Sequence, residues 1–515
     1  MTRIDARALR ALLDAGGEVA LLDVREEGVH SRGHLFLATS APLSTLELHA
    51  ARLVPRPGAT VVLVDDDERL ALRAAGVLAR LGYRDLRVLA GGMPGWRQAG
   101  YEVYSGVHVP SKAFGEHVEH REKTPRVSAA ELKAMLDAGE DLVVLDSRPM
   151  SEYRVMNIPG ATDCPGAELV YRVHQAAPRP QTLVVVNCAG RTRSIIGAQS
   201  LINAGIPNRV VALKNGTMGW HLAGFELEHG QARMAKVPDK EALEKAKAAA
   251  AKVAARFDIQ EISLSRLNKL LQEKTRTTYV FDVRSPEEYE AGHLPGSVSA
   301  PGGQLVQETD SYAAVRNARI ALVDDHGVRA TMTASWLLQM GWKEVFVVTE
   351  GLGGSLEKGF PDRGSLPDVA LIAVNKLPKH SLLLDFATSI QYRKGHIPGA
   401  AFAIRSRLEK QKEFLKGKTA VCTSPDGVLA RYAAADLAAL GVEAAALEGG
   451  TDAWHAAGLP MESGETRMLE PPEDVYYKPY DGKTQVEAAM RDYLHWEVAL
   501  LEQIRRDPDC RFKDF

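Results

Sequence analysis

The chain has 515 residues, which is too long for one ordinary domain and predicts three to five. Its 63 Lys and Arg residues nearly balance its 66 Asp and Glu residues, so charge gives no reason to expect a nucleic acid or an acidic membrane as partner. The sequence starts without the apolar core of a signal peptide, and no later run is apolar for long enough to cross a bilayer. We therefore expect a globular, cytoplasmic protein.

One pattern of strands, turns and helices occurs four times along the chain. Each copy starts with an apolar strand that ends in an aspartate, at Asp23, Asp146, Asp282 and Asp385. A second apolar strand follows and leads into a helix rich in Ala and Leu, which ends at Gly82, Gly205, Gly341 and Gly441. Strands that alternate with helices in units of about 100 residues predict a fold of the α/β class, in which each unit is a small parallel sheet with helices on both faces.

These repeats divide the chain into four tandem units, an interdomain linker and a tail. We place the units at residues 1–110, 124–232, 258–364 and 366–464. Residues 233–257 are rich in Ala, Lys and Glu and predict a helical linker. The tail at 465–515 carries several tyrosines and a periodic apolar stretch, so we expect it to dock on one of the units.

Constant spacing aligns the units with one another at the turn after the second strand. In the first three units this turn position lies 42 residues after the aspartate of the first strand and 17 residues before the glycine that ends the helix. The position is occupied by Asp65, Cys188, Asp324 and, counting back from the fourth glycine, Ser424. The second unit alone has a cysteine there, and Cys164, Cys422 and Cys510 lie elsewhere.

The turn that begins at Cys188 has the composition of an anion-binding loop. It follows an apolar β-branched strand, precedes a helix, and comprises Cys188, Ala189, Gly190, Arg191, Thr192, Arg193 and Ser194. Its amides and the helix dipole should point at the sulfur and lower the pKa of the thiol, which favours the reactive thiolate. Arg191 and Arg193 should bind an anionic substrate.

The same turn in the other three units lacks this chemistry. Asp65 and Asp324 introduce carboxylates that would repel an anion, and in the fourth unit Pro425 removes one amide donor. We interpret these units as degenerate copies with structural or docking roles.

The order of the motifs resembles that of the rhodanese sulfurtransferases. The second unit has Asp-Ser-Arg at 146–148, Ile-Pro-Gly-Ala at 158–161, the Cys188 loop, and Gly-Trp at 219–220, and the resemblance extends over all four units. It implies that the Cys188 thiolate takes the outer sulfur of a small anionic donor such as thiosulfate, forming a persulfide. Cyanide, a small thiol or a thiol on a protein would then accept this sulfur.

Within this resemblance, the loop from Ala189 to Ser194 would hold the charged persulfide, as an oxyanion hole holds its anion. Asp146 and Arg148, at the end of the neighbouring strand, would brace the loop or simply form a structural ion pair. We expect no cofactor and no metal. The acidic and histidine residues at 116–120 lack a further cluster of ligands and favour a solvated linker.

Two other functions remain open. A thiol phosphatase or arsenate reductase also cradles an oxyanion with a cysteine loop, but phosphate needs an arginine six positions after the cysteine, and here Arg193 is at the fifth. Alternatively, the chain is a sulfur relay or scaffold whose degenerate units bind partner proteins.

Overall fold

The computed structural model describes residues 1–361, 364–378, 381–482 and 484–515. The strands of the first unit are β1 (Thr2–Ile4), β2 (Val19–Asp23), β3 (Thr39–Ser40), β4 (Thr60–Val64) and β5 (Leu86–Leu89). Its helices are α1 (Ala6–Asp14), α2 (Glu27–His30), α3 (Leu46–Leu53), α4 (Arg69–Arg80) and α5 (Gly92–Gln98). Helix α6 (Val109–Glu122) connects this unit to the second.

The second unit repeats the same alternation. Its strands are β6 (Arg126–Val127), β7 (Leu142–Asp146), β8 (Thr162–Asp163), β9 (Leu183–Asn187) and β10 (Val210–Leu213). Its helices are α7 (Ala129–Asp137), α8 (Met150–Val155), α9 (Glu168–Ala176), α10 (Thr192–Asn203) and α11 (Gly216–Leu222). Helix α12 (Lys240–Arg256) lies within the segment expected to be a helical linker.

The third unit carries one additional short strand. Its strands are β11 (Gln260–Ile262), β12 (Thr278–Asp282), β13 (Val298–Ser299), β14 (Val315–Arg316), β15 (Arg319–Val323) and β16 (Glu344–Val348). Its helices are α13 (Leu264–Gln272), α14 (Pro286–Ala291), α15 (Gly302–Gln307), α16 (Thr309–Tyr312) and α17 (Val328–Gln339).

The fourth unit is followed by a long helix in the tail. Its strands are β17 (Leu371–Ile372), β18 (Leu382–Asp385), β19 (Ala401–Phe402), β20 (Thr419–Thr423) and β21 (Glu443–Leu447). The remaining helices are α18 (Ser389–Lys394), α19 (Lys412–Leu415), α20 (Val428–Ala439), α21 (Gly450–Ala456) and, in the tail, α22 (Val486–Ile504). Short 3₁₀ segments occur at Leu43–Thr45, Val374–Lys376 and Arg405–Gln411.

All four units share one sheet topology. In the second unit the strand order is β6-β10-β9-β7-β8, and the registered pairs are parallel. The central strand β9 is fully buried, as expected for an apolar β-branched run covered on both faces. Because β7 and β9 run parallel, their carboxyl ends meet, and Asp146 lies opposite Asn187, the residue before Cys188. The predicted α/β fold of four tandem units with parallel sheets is confirmed.

One strand departs from the purely parallel arrangement. Strand β14 of the third unit pairs antiparallel with β2, which places it at the edge of the first unit's sheet. The first and third units are therefore joined by backbone hydrogen bonds. This pairing joins residues almost 300 positions apart, and no local pattern in the sequence indicated it.

Candidate active site

Cys188 lies at the turn between β9 and α10. Its side chain is buried, with 2% of the residue exposed. The backbone of the turn is closely packed by α11, since a Cβ atom added to Gly216 would lie 2.2 Å from the Cys188 carbonyl oxygen. Gly216 also has a φ of +56°, so both its conformation and its surroundings require glycine there. The loop is thereby held against the start of α11.

The sister units reveal what the backbone amides of this loop bind. In the first unit the Asp65 carboxylate accepts hydrogen bonds from the amides three, five and six positions further on, at 2.7, 2.8 and 3.1 Å. In the third unit Asp324 accepts from the equivalent amides at 2.5, 2.8 and 3.3 Å. The turn is therefore a cradle for an anion, and the corresponding residues around Cys188 are Arg191, Arg193 and Ser194.

The pKa of Cys188 differs from the sequence prediction. Burial raises the pKa of the thiol, while the charge of Arg193 and the neighbouring polar groups of Ser194 oppose that rise. The charge of Glu497, in the tail helix α22, adds to it. The prediction of a lowered pKa was wrong because it considered the loop alone and omitted the desolvation of the sulfur.

Arg191 contacts the connecting helix α6. Its guanidinium donates to both carboxylate oxygens of Glu116, at 2.6 and 2.7 Å, and also to Glu119. It makes a further hydrogen bond to Asn215 at 3.2 Å. The arginine is 7% exposed, and its bidentate pair with Glu116 is buried. The segment expected to be a solvated linker is therefore a packed helix that anchors the active-site loop.

Arg193 is also paired, with a residue that the sequence analysis missed. Its guanidinium donates to Glu152 at 2.8 and 3.2 Å, and to Gln304 of the third unit at 3.1 Å. Burial favours protonation of Glu152, but Arg193 outweighs it and keeps the pKa of this carboxyl below its ordinary value. Alignment of the units with one another could have indicated this pair. Glu288 and Arg329 of the third unit align with Glu152 and Arg193, and they pair at 2.8 Å.

The remaining loop residues have distinct surroundings. Ala189 lines a pocket above the loop, and the Thr192 hydroxyl donates to Glu497 at 3.3 Å. Gly190 has little free space, because an added Cβ would lie 2.9 Å from Met218 and 3.1 Å from Glu497. The Ser194 hydroxyl donates to the Arg191 carbonyl at 2.8 Å. The loop is thus confined by the tail as well as by its own unit.

Asp146 and Arg148 form a fully buried ion pair at the base of the loop. The guanidinium bonds both carboxylate oxygens, at 2.7 and 2.8 Å, and the Met156 carbonyl at 2.7 Å. Asn187 donates to the same carboxylate at 2.8 Å. Equivalent pairs join the aspartate and arginine in the first and third units, which lack the cysteine. Their presence there favours a structural role for this pair.

A pocket of about 150 Å³ opens above the Cys188 loop and is lined by distant parts of the chain. The second unit contributes Ala189, Glu152, Arg193 and Met218. The other lining residues come from the first unit, the connection through α6, the third unit and the tail, namely Glu27, Val107, His108, Lys112, Gln307, Glu308, Tyr476, Lys478, Pro479, Tyr480 and Tyr493. The tail thus docks on the second unit and covers its pocket.

In the part of the chain that the structure describes, no group of three or more His, Cys, Asp or Glu side chains is placed to hold a metal ion. Within the same residues, no helix has both the length and the apolar character needed to cross a membrane.

Comparison with known proteins identifies the family. The model of the rhodanese-like domain matches residues 5–99, 128–223, 263–357 and 371–457. A crystal structure of thiosulfate sulfurtransferase from Pseudomonas aeruginosa is 47% identical, with a TM-score of 0.95 over 100% of this chain and 99% of that one. The chain therefore belongs to the rhodanese family and is a rhodanese-type enzyme, and the four predicted rhodanese-like domains are confirmed.

A curated relative has a related role in its name. The putative sulfur carrier protein YrkF of Bacillus subtilis (strain 168) is 31% identical over 94 residues, which make up 18% of this chain. The match spans 49% of that protein, so this chain covers about half the length of the relative.

Proposed function

We propose that the protein is a sulfurtransferase that carries sulfane sulfur as a persulfide on Cys188, with an anionic compound such as thiosulfate as donor. The observation that carries this proposal is the amide cradle. Its equivalents in two sister units hold carboxylates through three N–H groups each. In those two units the cradle holds a carboxylate. In the second unit it would hold the Cys188 persulfide, whose charged outer sulfur is gained and lost in each reaction cycle.

The chemistry proceeds in two displacements. The Cys188 thiolate attacks the outer sulfur of thiosulfate, the S–S bond of the donor breaks, and sulfite leaves with the bonding electrons. The resulting cysteine persulfide carries one negative charge, which the amides of Arg191, Arg193 and Ser194 stabilise. Cyanide or a thiolate then attacks the outer persulfide sulfur, takes it, and regenerates the Cys188 thiolate.

The paired arginines have different roles in this scheme. Arg191 is fixed to α6 by Glu116 and Glu119, so it holds the loop in shape. Arg193 lines the pocket and acts electrostatically on the sulfur, with Glu152 fixing its position. The name of the Pseudomonas aeruginosa relative supports the choice of donor.

Mass spectrometry after incubation with thiosulfate tests the proposal. Wild type should gain the mass of one sulfur atom, localised by peptide mapping to Cys188, and cyanide should remove it. Cys188→Ser should gain no such mass and should lose thiosulfate:cyanide activity by at least about a thousandfold, since the covalent step is lost.

Cys422→Ala is a matched control for this test. Cys422 is also buried. It lies within β20, the equivalent strand of the fourth unit, two residues before the loop position. It should leave both persulfide formation and turnover unchanged. Sulfur on Cys422 or Cys164 in place of Cys188, or unchanged turnover in Cys188→Ser, would contradict the proposal.

A further inference from the structure

The charges of both loop arginines are already satisfied within the protein. Arg191 has a bidentate pair with Glu116 and a second carboxylate partner in Glu119. Arg193 has a bidentate pair with Glu152. A donor that bonded the edge of either guanidinium that faces its glutamate would have to displace a buried carboxylate and leave it without its partner, which is costly. A dianionic donor therefore gains more from a cation in the pocket that is less tightly neutralised.

Lys112 is placed to be that cation. It extends from α6 and lines the pocket together with Ala189 and Arg193 of the active-site loop. Its side chain is 8% exposed, and its ammonium donates to the Tyr493 hydroxyl at 2.6 Å. The nearest oxygen of Glu497 lies at 3.8 Å, beyond hydrogen-bond distance, so this ammonium is less tightly neutralised than either guanidinium.

The tail helix fixes the position of this ammonium. Tyr493 and Glu497 lie one turn apart on α22, and the tyrosine hydroxyl donates to the glutamate at 3.0 Å. Glu497 also accepts from Thr192 in the loop, which ties α22 to the cradle. Lys112, α22 and the loop that begins at Cys188 thus form one connected polar network, in which the lysine keeps donors available for a ligand.

We propose that Lys112 is the residue that binds the anionic group of the sulfur donor and stabilises the leaving sulfite. This inference rests on the proposed function and names, for that same site, a specificity-determining residue outside the active-site loop. It assigns the donor to compact dianions, whose oxygens would contact the ammonium while the outer sulfur faces Cys188.

Burial lowers the pKa of Lys112, because the ammonium is desolvated and Arg193 repels it, whereas Glu497, Cys188 and Glu308 favour its protonated form. The other titratable groups that line the same pocket are Glu27, His108, Glu152, Tyr476, Lys478, Tyr480 and Tyr493. Only the protonated lysine attracts a dianion. Donor binding in wild type should therefore weaken as the pH rises through this lowered pKa, which lies below that of an ordinary lysine.

Single-turnover persulfide formation with thiosulfate tests this assignment. In Lys112→Met, the thiosulfate concentration for half-maximal labelling should rise about tenfold, in keeping with the loss of a charged hydrogen bond. Lys112→Arg should keep affinity at neutral pH. It should also abolish the alkaline weakening, because an arginine stays protonated. Lys252→Met, which changes an exposed lysine on α12, should match wild type throughout.

The outcomes separate the two proposals. If wild type forms the persulfide and Lys112→Met shows the same thiosulfate dependence, the assignment of Lys112 fails while the sulfurtransferase proposal stands. If thiosulfate gives no persulfide on wild type, the proposed function fails and the assignment fails with it. Should Lys112→Met prove unfolded by circular dichroism, the pH dependence of Lys112→Arg decides. An alkaline limb that is unchanged in that variant overturns the assignment.

Discussion

At the scale of single residues, one side chain decides what the amide cradle holds. An aspartate at this position delivers a carboxylate that accepts hydrogen bonds from three amides, as Asp65 and Asp324 show. In the fourth unit Ser424 accepts a single amide hydrogen bond, from Ala430 at 3.1 Å. Of the residues at this position in the four units, only the cysteine can bind a further sulfur atom as a persulfide, which carries a negative charge.

The pH dependence of Cys188 follows from its burial. Because its pKa is raised above that of an ordinary thiol, the reactive thiolate fraction should keep increasing with pH well into the alkaline range. Alkylation by iodoacetamide, which is uncharged, measures this titration directly. Arg193→Met removes the charge that most opposes this rise and should shift the inflection to higher pH.

Two results would contradict this expectation. One is an alkylation profile whose inflection lies at or below the ordinary thiol value, and the other is an Arg193→Met profile that coincides with wild type. Alkylation of the other cysteines is excluded by peptide mapping. Cys164 and Cys422 are buried, and burial raises the pKa of both.

At the scale of secondary structure elements, the candidate site includes residues from two helices outside the second unit. Helix α6 supplies Lys112 and the carboxylates that hold Arg191, and α22 supplies Tyr493 and Glu497. These helices belong to segments that connect or follow the repeats. Their polar residues are ordered by pairing with residues far away in sequence.

Packing of α22 against the segment before α6 provides a test. Gly106 has a φ of +90°, and a Cβ atom added there would lie 2.3 Å from the Trp496 ring. Gly106→Ala should therefore displace α22, loosen the network around Glu497 and lower the rate of persulfide formation several-fold. Faster hydrogen exchange of α22 amides should accompany the lower rate.

Gly100→Ala is the control for this clash. Gly100 has a φ of +83°, but nothing lies within 4 Å of an added Cβ, so it introduces backbone strain without the contact. Its activity should stay close to that of wild type. Equal losses in both variants would attribute the effect to backbone strain and contradict the role of the α22 contact.

The sequence could predict the part of the site that lies within the repeated elements, but not the part contributed by the segments between and after them. Fixed spacings were sufficient to locate Cys188, its loop and the equivalent turns of the other three units, because each repeat encodes its own strands and turns. The cover of the pocket could not be predicted, since Lys112, Gln307 and Tyr493 meet through contacts between segments with no shared periodicity. The partner of Arg193 was accessible through the repeats, in which Glu152 and Glu288 align.

At the scale of the whole molecule, the first three units are more closely joined to one another than to the fourth. One continuous core cluster includes Leu46 of the first unit, Val186 of the second and Trp336 of the third. Strand β14 adds backbone pairing between the first and third units. The second and third units also exchange hydrogen bonds, from Arg193 to Gln304 and from Arg329 to Glu168.

The fourth unit is joined mainly through polar contacts. Its apolar core forms clusters of its own, which contain residues between 369 and 469. Its link to the first unit includes Arg405, which pairs with Glu47 at 2.7 Å, and Ser406, which bonds Glu26 at 2.6 Å. Such contacts contribute less to cooperative unfolding than a shared apolar core does.

We therefore predict that the fourth unit unfolds before the rest. Native-state hydrogen exchange in increasing guanidinium should show the amides of β18 and β20 opening with a free energy at least about 2 kcal/mol below that of β4, β9 and β15, which should open together. Arg405→Ala should widen this difference, because it removes the pair with Glu47 while the shared core stays intact. If the amides of all four sheets open with the same free energy, the prediction is contradicted. The fourth unit would then unfold cooperatively with the rest, and its polar link to the first unit would be sufficient for this cooperativity.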